Sequence, residues 1–253
     1  MPQVSATIIT HNEATNIARA ICSLTCADEV VVVDAESTDA TREIAAALGA
    51  HVIVLPWEGF AAQKEFASRA ARHDWILSLD ADEELDGPAQ AAIQAWKRSE
   101  PGAAGYRFAR RAQYLGRWIL HSGRYPDYKL RLFDRTQSSW QGAYVHESVV
   151  TRGPVATLEG EILHYTCASL EEHRQRIEFY TDLAAREMHD RGENVGFLQS
   201  ALGPPWIFVS SYILRLGVLD GVPGFWIARM AARYVRRKYA KLRDMEKGSR
   251  VPR

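Results

Sequence analysis

Over the first third of the chain, β-branched and apolar residues gather in short runs separated by mixed, helix-compatible stretches. The runs are Val4 to Thr10, Glu29 to Val33, His51 to Leu55 and Trp75 to Leu79. A strand that is apolar on both sides must be covered on both faces, which marks a parallel sheet lying between helices. The intervening stretches predict helices over roughly Ala14 to Leu24, Asp39 to Leu48, Phe60 to Arg72 and Gly87 to Arg98. Ser37 and Thr38 offer a cap to the second helix, and Gly49 stops it. The fold class expected is therefore α/β.

From Gly105 the pattern changes to short strands with aromatic and basic residues: Gly105 to Arg111, Tyr128 to Phe133, then Val155 to His164. These read as a mixed extension of the same sheet. After Ser169 the chain turns helical, with mixed charge over Leu170 to His189. Trp206 to Leu219 is almost wholly apolar but broken by Arg215. At about 14 residues it falls short of the ~20 that span a bilayer, so it predicts a buried or interfacial helix. Beyond Pro223, a wheel of Phe225 to Arg243 gathers Ala228, Ala231, Val235, Tyr239 and Leu242 on one side, with Arg229, Arg233, Arg236, Arg237 and Lys241 on the other. Such a helix suits either an anionic membrane surface or a solvated face packed on a domain. Two domains are expected, 1–168 and 169–253. No internal repeat or low-complexity segment appears.

Composition narrows the classes. With 253 residues, 47% hydrophobic content and 31 basic against 31 acidic residues, the chain is an ordinary folded protein with no global field for nucleic acid. Three cysteines without CxxC spacing argue for a reducing compartment. The N-terminus opens on a strand-like run where a secretory signal has a charged and then an apolar region, so a cytoplasmic location is expected.

The chemistry gathers at strand ends. Asp80-Ala81-Asp82 follows directly on the run ending at Leu79, where a buried strand gives way to solvent. Two carboxylates spaced i, i+2 at the carboxyl edge of an open sheet suit a hard divalent cation, Mg²⁺ or Mn²⁺, that also takes diphosphate oxygens. A solvated acidic turn is the plainer alternative. Asp34, at the end of the second run, falls on the same edge. With the loop Thr10-His11-Asn12-Glu13, it offers acceptors for base N–H and ribose hydroxyl groups, while Ser37 and Asp39 read more simply as helix caps.

Taken together, Thr10 to Glu13, Asp34 to Asp39 and Trp75 to Glu83 resemble the family 2 glycosyltransferases of GT-A fold in order and spacing. Tyr125 to Phe133, Val145-His146-Glu147-Ser148 and the tail around Gly224 add a narrower likeness, to lipopolysaccharide core β-1,4-glucosyltransferases that act on inner-core heptose. One departure is Gln63-Lys64-Glu65, which lacks an asparagine after the lysine.

The resemblance implies a mixed, mainly parallel sheet flanked by helices, and an inverting transfer of a hexose from a nucleotide sugar, UDP-glucose by expectation. It implies that Asp82 binds the metal, that Asp80 contacts ribose or the metal, that Asp34 recognises the nucleobase and that His164 reaches the metal or diphosphate. It also makes Glu147 the base that deprotonates the acceptor, with His146 orienting it. Thr10, Asn12 and Glu13 fall on the nucleotide side. Lys129 and Arg131 alternate with Leu130 and Leu132, so both cations share one strand face and are expected to neutralise diphosphate or grip an anionic acceptor. Arg107, Arg110 and Arg111 add charge near by, unless they pair with neighbouring acids. The acceptor expected is a lipid-linked saccharide, met by a peripheral protein on the inner face of a bacterial inner membrane. Polyprenyl-phosphate transfer, a sugar nucleotidyltransferase and a non-catalytic nucleotide-binding protein are the alternatives.

Overall fold

The computed structural model describes residues 1–142 and 147–249. The first half alternates strand and helix: β1 Val4–Thr10, α1 Ile17–Cys22, β2 Glu29–Asp34, α2 Thr41–Ala47, β3 His51–Val54, α3 Phe60–Ala70, β4 Trp75–Asp80, β5 Glu83–Leu85 and α4 Gly87–Trp96. Six further strands follow: β6 Gly105–Tyr114, β7 Arg117–Trp118, β8 Asp127–Asp134, β9 Ser138–Gln141, β10 Ser148–Thr151 and β11 Val155–Cys167. Three long helices complete the chain: α5 Leu170–Asp190, α6 Phe197–Val209 and α7 Gly221–Ser249.

The main sheet runs β3-β2-β1-β4-β8-β6-β11-β5, with β7 added to β6, and β9 pairs with β10 in a separate ribbon. Strands β3, β2, β1 and β4 are parallel, and β8 joins β4 antiparallel. The mixed, helix-flanked sheet expected from the hydrophobic pattern is therefore present. Successive side chains of a strand point to opposite faces, and the core divides accordingly. Val32, Leu77 and Leu79 pack with Ile17, Ile93 and Trp96 on one side, while Val31, Val33, Ile76 and Phe133 pack with Ala67 of α3 and with Ala71 just after it on the other. Each fully buried Val, Leu, Ile or Phe side chain among these contributes about 1.5–3 kcal/mol.

Helix ends depart from expectation where side chains are engaged elsewhere. α2 starts at Thr41, whose backbone N–H donates to Asp39 Oδ1 at 3.0 Å, and Ser37 turns its hydroxyl to Asp34. Gly49 ends the helix with φ +84°, a conformation that favours glycine. At Gly160, with φ +92°, a Cβ would lie 2.1 Å from the backbone nitrogen of Ala89, so β11 meets α4 at a distance no side chain permits.

The chain forms two compact units, residues 1–111 with 127–165, and 112–126 with 166 onward. The second unit thus takes in a segment from the middle of the chain as well as the helical C-terminal region. In that unit Asp220, 4% exposed, accepts from the backbone N–H groups of Leu120 and His121 at 3.2 and 3.1 Å. Tyr114, Ile119, Cys167 and Ile227 form its own small core.

The apolar segment Trp206 to Leu219 is not one helix. α6 passes into a π turn over Ser210–Leu214, the chain breaks near Leu216 at φ +56°, and a 3₁₀ turn covers Gly217–Asp220. None of α6 is buried, so the buried alternative fails. Phe197 is 81% and Trp206 60% exposed, and Leu198, Leu202, Ile213, Leu214, Leu219 and Val222 are exposed with them. No single helix among the described residues is long and apolar enough to cross a membrane; 197–214 and 217–246 reach that hydropathy only together, bent by 72°.

The cationic stripe of α7 is partly spent inside the unit. Arg237 and Lys241 reach Glu178 of α5 at 2.6 and 3.3 Å, Arg233 reaches it at 3.5 Å, and Lys241 also meets Asp182 at 2.9 Å. Of the expected stripe, Arg229 and Arg236 remain exposed.

Candidate active site

Register places the acidic strand ends side by side. Thr10 pairs with Asp34 and Ile9 with Asp80, so the ends of β1, β2 and β4 share one edge. Around Asp34 the loops form a closed web. Asp34 is fully buried, and its two oxygens accept from the backbone N–H and the hydroxyl of Ser37 at 2.8 and 2.5 Å. Ser37 Oγ also accepts from the backbone N–H of Asn12 at 2.8 Å, and Asn12 Oδ1 accepts from Thr38 N–H at 2.8 Å. His11 Nδ1 lies 2.6 Å from the carbonyl of Ala35 and so carries the proton, leaving Nε2 to accept from Asn12 Nδ2 at 3.1 Å.

Asn12 and Glu36 hold φ +54° and +57°. Two left-handed non-glycine residues in facing loops, each at a cost of about 1–3 kcal/mol, are the kind of strain that concentrates at ligand sites. Thr10 Oγ1 and Gln63 Oε1 are buried without hydrogen-bond partners among the described residues. Buried polar atoms are rarely left so, and Thr10 lies where a nucleotide was expected. Glu13 instead serves the start of α1, its carboxylate accepting from Asn16 at 2.7 Å.

At the end of β4, acids and bases alternate. Lys64 Nζ lies 2.7 Å from Asp80 Oδ1 and 2.9 Å from Glu147 Oε1. Arg131 Nη2 lies 2.9 Å from Asp80 Oδ2 and 2.8 Å from Glu83 Oε1, and Arg110 joins Glu83 to Asp127 at 3.0 and 2.7 Å. Lys129 meets Asp127 at 3.1 Å. Desolvation opposes the charge on Asp80, yet Lys64 and Arg131 hold its carboxyl well below the usual carboxylate range. Burial likewise opposes the charge on Arg131, but Glu83 and Asp80 outweigh it and raise that guanidinium above its ordinary value.

Arg131 is thus committed to two carboxylates of its own chain and Lys129 to a third. Of the other arginines of β6, Arg111 pairs with Glu161 at 2.7 Å, and Arg107 donates to Thr157 at 2.9 Å. Arg110 and Arg111 thus pair with neighbouring acids, whereas exposed Arg107 meets a threonine hydroxyl.

Asp82 and His164 are also brought together. β11 pairs with β5 so that His164 opposes Glu83, and Tyr165 N–H donates to the carbonyl of Asp82 at 2.9 Å. Asp82 Oδ2 and His164 Nε2 stand 3.3 Å apart. A carboxylate and an imidazole this close are residues that would together hold a small divalent cation, which would supply positive charge for a diphosphate. No group of three His, Cys, Asp or Glu side chains among the described residues is placed to hold a metal. Asp82 and His164 are the pair that would hold an ion, whereas Asp80 is already held by two cations. His146 lies outside the described residues.

Sequence reasoning missed Lys64 and Glu83 as parts of this cluster. Lys64 shares the core-facing side of α3 with buried Ala67, and a lysine three residues before an apolar core position is the signal that marks it.

A family model described as glycosyl transferase family 2 matches residues 5–157. An uncharacterized glycosyltransferase of Rickettsia prowazekii is 34% identical, over 97% of this chain and 88% of its own. The lipopolysaccharide core biosynthesis glycosyltransferase LpsC of Rhizobium meliloti is 28% identical, over 94% of this chain and 91% of its own. Among solved structures, S. aureus TarS 1–349 with UDP-GlcNAc aligns with TM-score 0.47 at 13% identity, over 99% of this chain and 93% of that one.

Proposed function

Since the chain belongs to glycosyl transferase family 2, we propose that it transfers a hexose, glucose from UDP-glucose, with inversion onto a lipid-linked saccharide of the lipopolysaccharide inner-core type. The observation that carries the reading is the cluster at the end of β4, where a carboxylate–histidine pair stands beside a carboxylate held by a buried lysine. The kinship with LpsC supports the acceptor class.

In this reading the nucleotide lies along the edge formed by Thr10, Asp34 and Asp80, and the unpaired Thr10 and Gln63 oxygens receive its polar groups. Asp82 and His164 would hold the divalent metal, which when bound neutralises charge on the diphosphate leaving group. Glu147 takes the proton of the acceptor hydroxyl as that oxygen bonds to the anomeric carbon from the face opposite the departing diphosphate. The C–O bond to the diphosphate breaks, its electron pair stays with UDP, and the configuration inverts.

The exposed apolar residues of α6 and the turns after it, together with exposed Arg215, Arg229 and Arg236 of the same unit, support peripheral attachment to the inner face of the inner membrane, where such an acceptor resides. Each basic residue near an anionic surface adds about 1 kcal/mol of attraction.

A screen of sugar nucleotides, by thermal shift and by transfer to heptose-terminated lipopolysaccharide in anionic vesicles, tests the reading. UDP-glucose with Mg²⁺ or Mn²⁺ is expected to raise the melting temperature and support transfer, and Asp82→Asn to lose both while keeping its fold. Full transfer in chelator, or unchanged activity in Asp82→Asn, removes the metal assignment, and no transfer from any sugar nucleotide removes the function.

A further inference from the structure

Lys64 has no place in the chemistry expected from the sequence, yet it is among the most deeply set charges in the protein, with 3% of its side chain exposed. A buried ammonium is tolerated when acids meet it. Two do, and they belong to different parts of the reaction: Asp80 at the donor end, at 2.7 Å, and Glu147, the candidate base, at 2.9 Å.

The neighbours of Lys64 are fixed as firmly. Glu65, the next residue, accepts from the backbone N–H of Trp140 at 3.0 Å, and Ser68 Oγ accepts from the Trp140 indole N–H at 3.3 Å while donating to the carbonyl of Lys64 at 2.9 Å. The Trp140 ring centroid lies 5.0 Å from Lys64 Nζ, within reach of a cation–π contact. β9, which carries Trp140, is thus tied to α3 at Glu65 and Ser68, within the turn that follows Lys64.

Only Oε1 of Glu147 is bonded to Lys64, and Oε2 has no partner among the described residues. A carboxylate gripped by one oxygen presents the other in a set direction. Lysine suits this task because its charge is compact and its donors radiate from one atom, whereas arginine's planar fork favours bidentate pairing with a single carboxylate.

We propose that Lys64 is a positioning residue for the transfer step: bridging Asp80 and Glu147, it aims the free oxygen of Glu147 at the acceptor hydroxyl and sets its distance from the donor. The proposal rests on the reading of Glu147 as the base. The competing role is that of a plain counter-ion, needed only to keep Asp80 charged in the fold.

A double-mutant cycle separates them, run with UDP-glucose and heptose-terminated lipopolysaccharide, and also on the slower release of UDP to water, which needs no acceptor. Glu147→Gln alone is expected to lower kcat by about 10²-fold with donor KM little changed. If it does not, the base reading fails, whatever Lys64 does. Given that loss, Lys64→Met is expected to lower kcat about 10- to 10²-fold with donor KM moving less than about threefold, and to cost less than about threefold in the Glu147→Gln background. Lys64→Arg, which keeps the charge within reach, is expected to recover part of kcat. A loss confined to donor KM, or one of equal size in both backgrounds, overturns the proposal. Should Lys64→Met fail to melt cooperatively, Lys64→Gln, which retains a donor without the charge, takes its place in the same cycle under the same criteria.

Discussion

Two clusters of acids and bases, one in each compact unit, use the same chemistry under different access to water. In the first, Asp80 and Glu83 are held by Lys64, Arg131 and Arg110, and the Glu83 side chain is wholly removed from solvent. In the second, Glu178 of α5 gathers Arg233, Arg237 and Lys241 of α7 with 36% of its side chain still exposed. Coulomb attraction is strong in the dry cluster, but so is the cost of removing four or five charges from water. In the wet cluster both effects are small. The buried network is therefore a poor device for stability and a good one for placement, because each charge there needs its partner. The exposed network clasps two helices cheaply and replaceably.

The largest effect expected from breaking this comparison is in the dry cluster. Arg131→Met leaves Asp80 and Glu83 each short of a partner, and a loss of about 3–5 kcal/mol in urea unfolding is expected. A loss under about 1 kcal/mol would mean that water reaches the cluster and that the two networks are alike.

Glu178→Gln is expected to cost about 1 kcal/mol or less at neutral pH. Its pH dependence sharpens the contrast. The hydrogen bond from Arg237, helped by Lys241 and opposed by desolvation, lowers the Glu178 pKa from 4.5 to about 2. A carboxylate depressed on folding contributes fully above its unfolded value, and that contribution fades as pH falls from about 4.5 toward about 2. Melting curves of wild type and Glu178→Gln should therefore converge over that interval, and a gap that persists at pH 2 would assign the difference to packing.

The smallest effect serves as the baseline. Arg174 and Glu171 form an i, i+3 pair on α5 with both partners well exposed, and Arg174→Ala should shift stability by about 0.5 kcal/mol at most. A shift as large as that of Glu178→Gln would reduce the α5–α7 clasp to an ordinary surface pair.

These clusters also mark where sequence reading stops. β1 to β4 are legible because strands covered on both faces must be apolar throughout, and the carboxyl-edge placement of Asp34, Asp80 and Asp82 follows from where those runs end. Nothing local announces that Lys64 will meet a glutamate 83 positions away, or that Leu120 will bond to Asp220 at a separation of 100. Those pairings are decided by how strands stack in space. Asp34 shows a subtler limit: its position was readable, but its two bonds to Ser37 depend on the backbone path of Glu36 through the left-handed region, which a glutamate does not advertise. The α7 stripe looked outward on a helical wheel because the wheel does not know that α5 lies alongside.

The interleaving of the two units sets a schedule for synthesis. Ile119 belongs to a small core completed by Ile227, roughly a hundred residues later. At about 5–20 residues per second, the segment 112–126 leaves the ribosome about 5–20 s before the helix that covers it. During that interval β6 and β8 can already pair, leaving Tyr114 at the end of β6 and Ile119 beyond it without the helix that covers them. Slowing translation downstream of residue 165 would lengthen this exposure, making the nascent chain more dependent on chaperones that shield apolar loops.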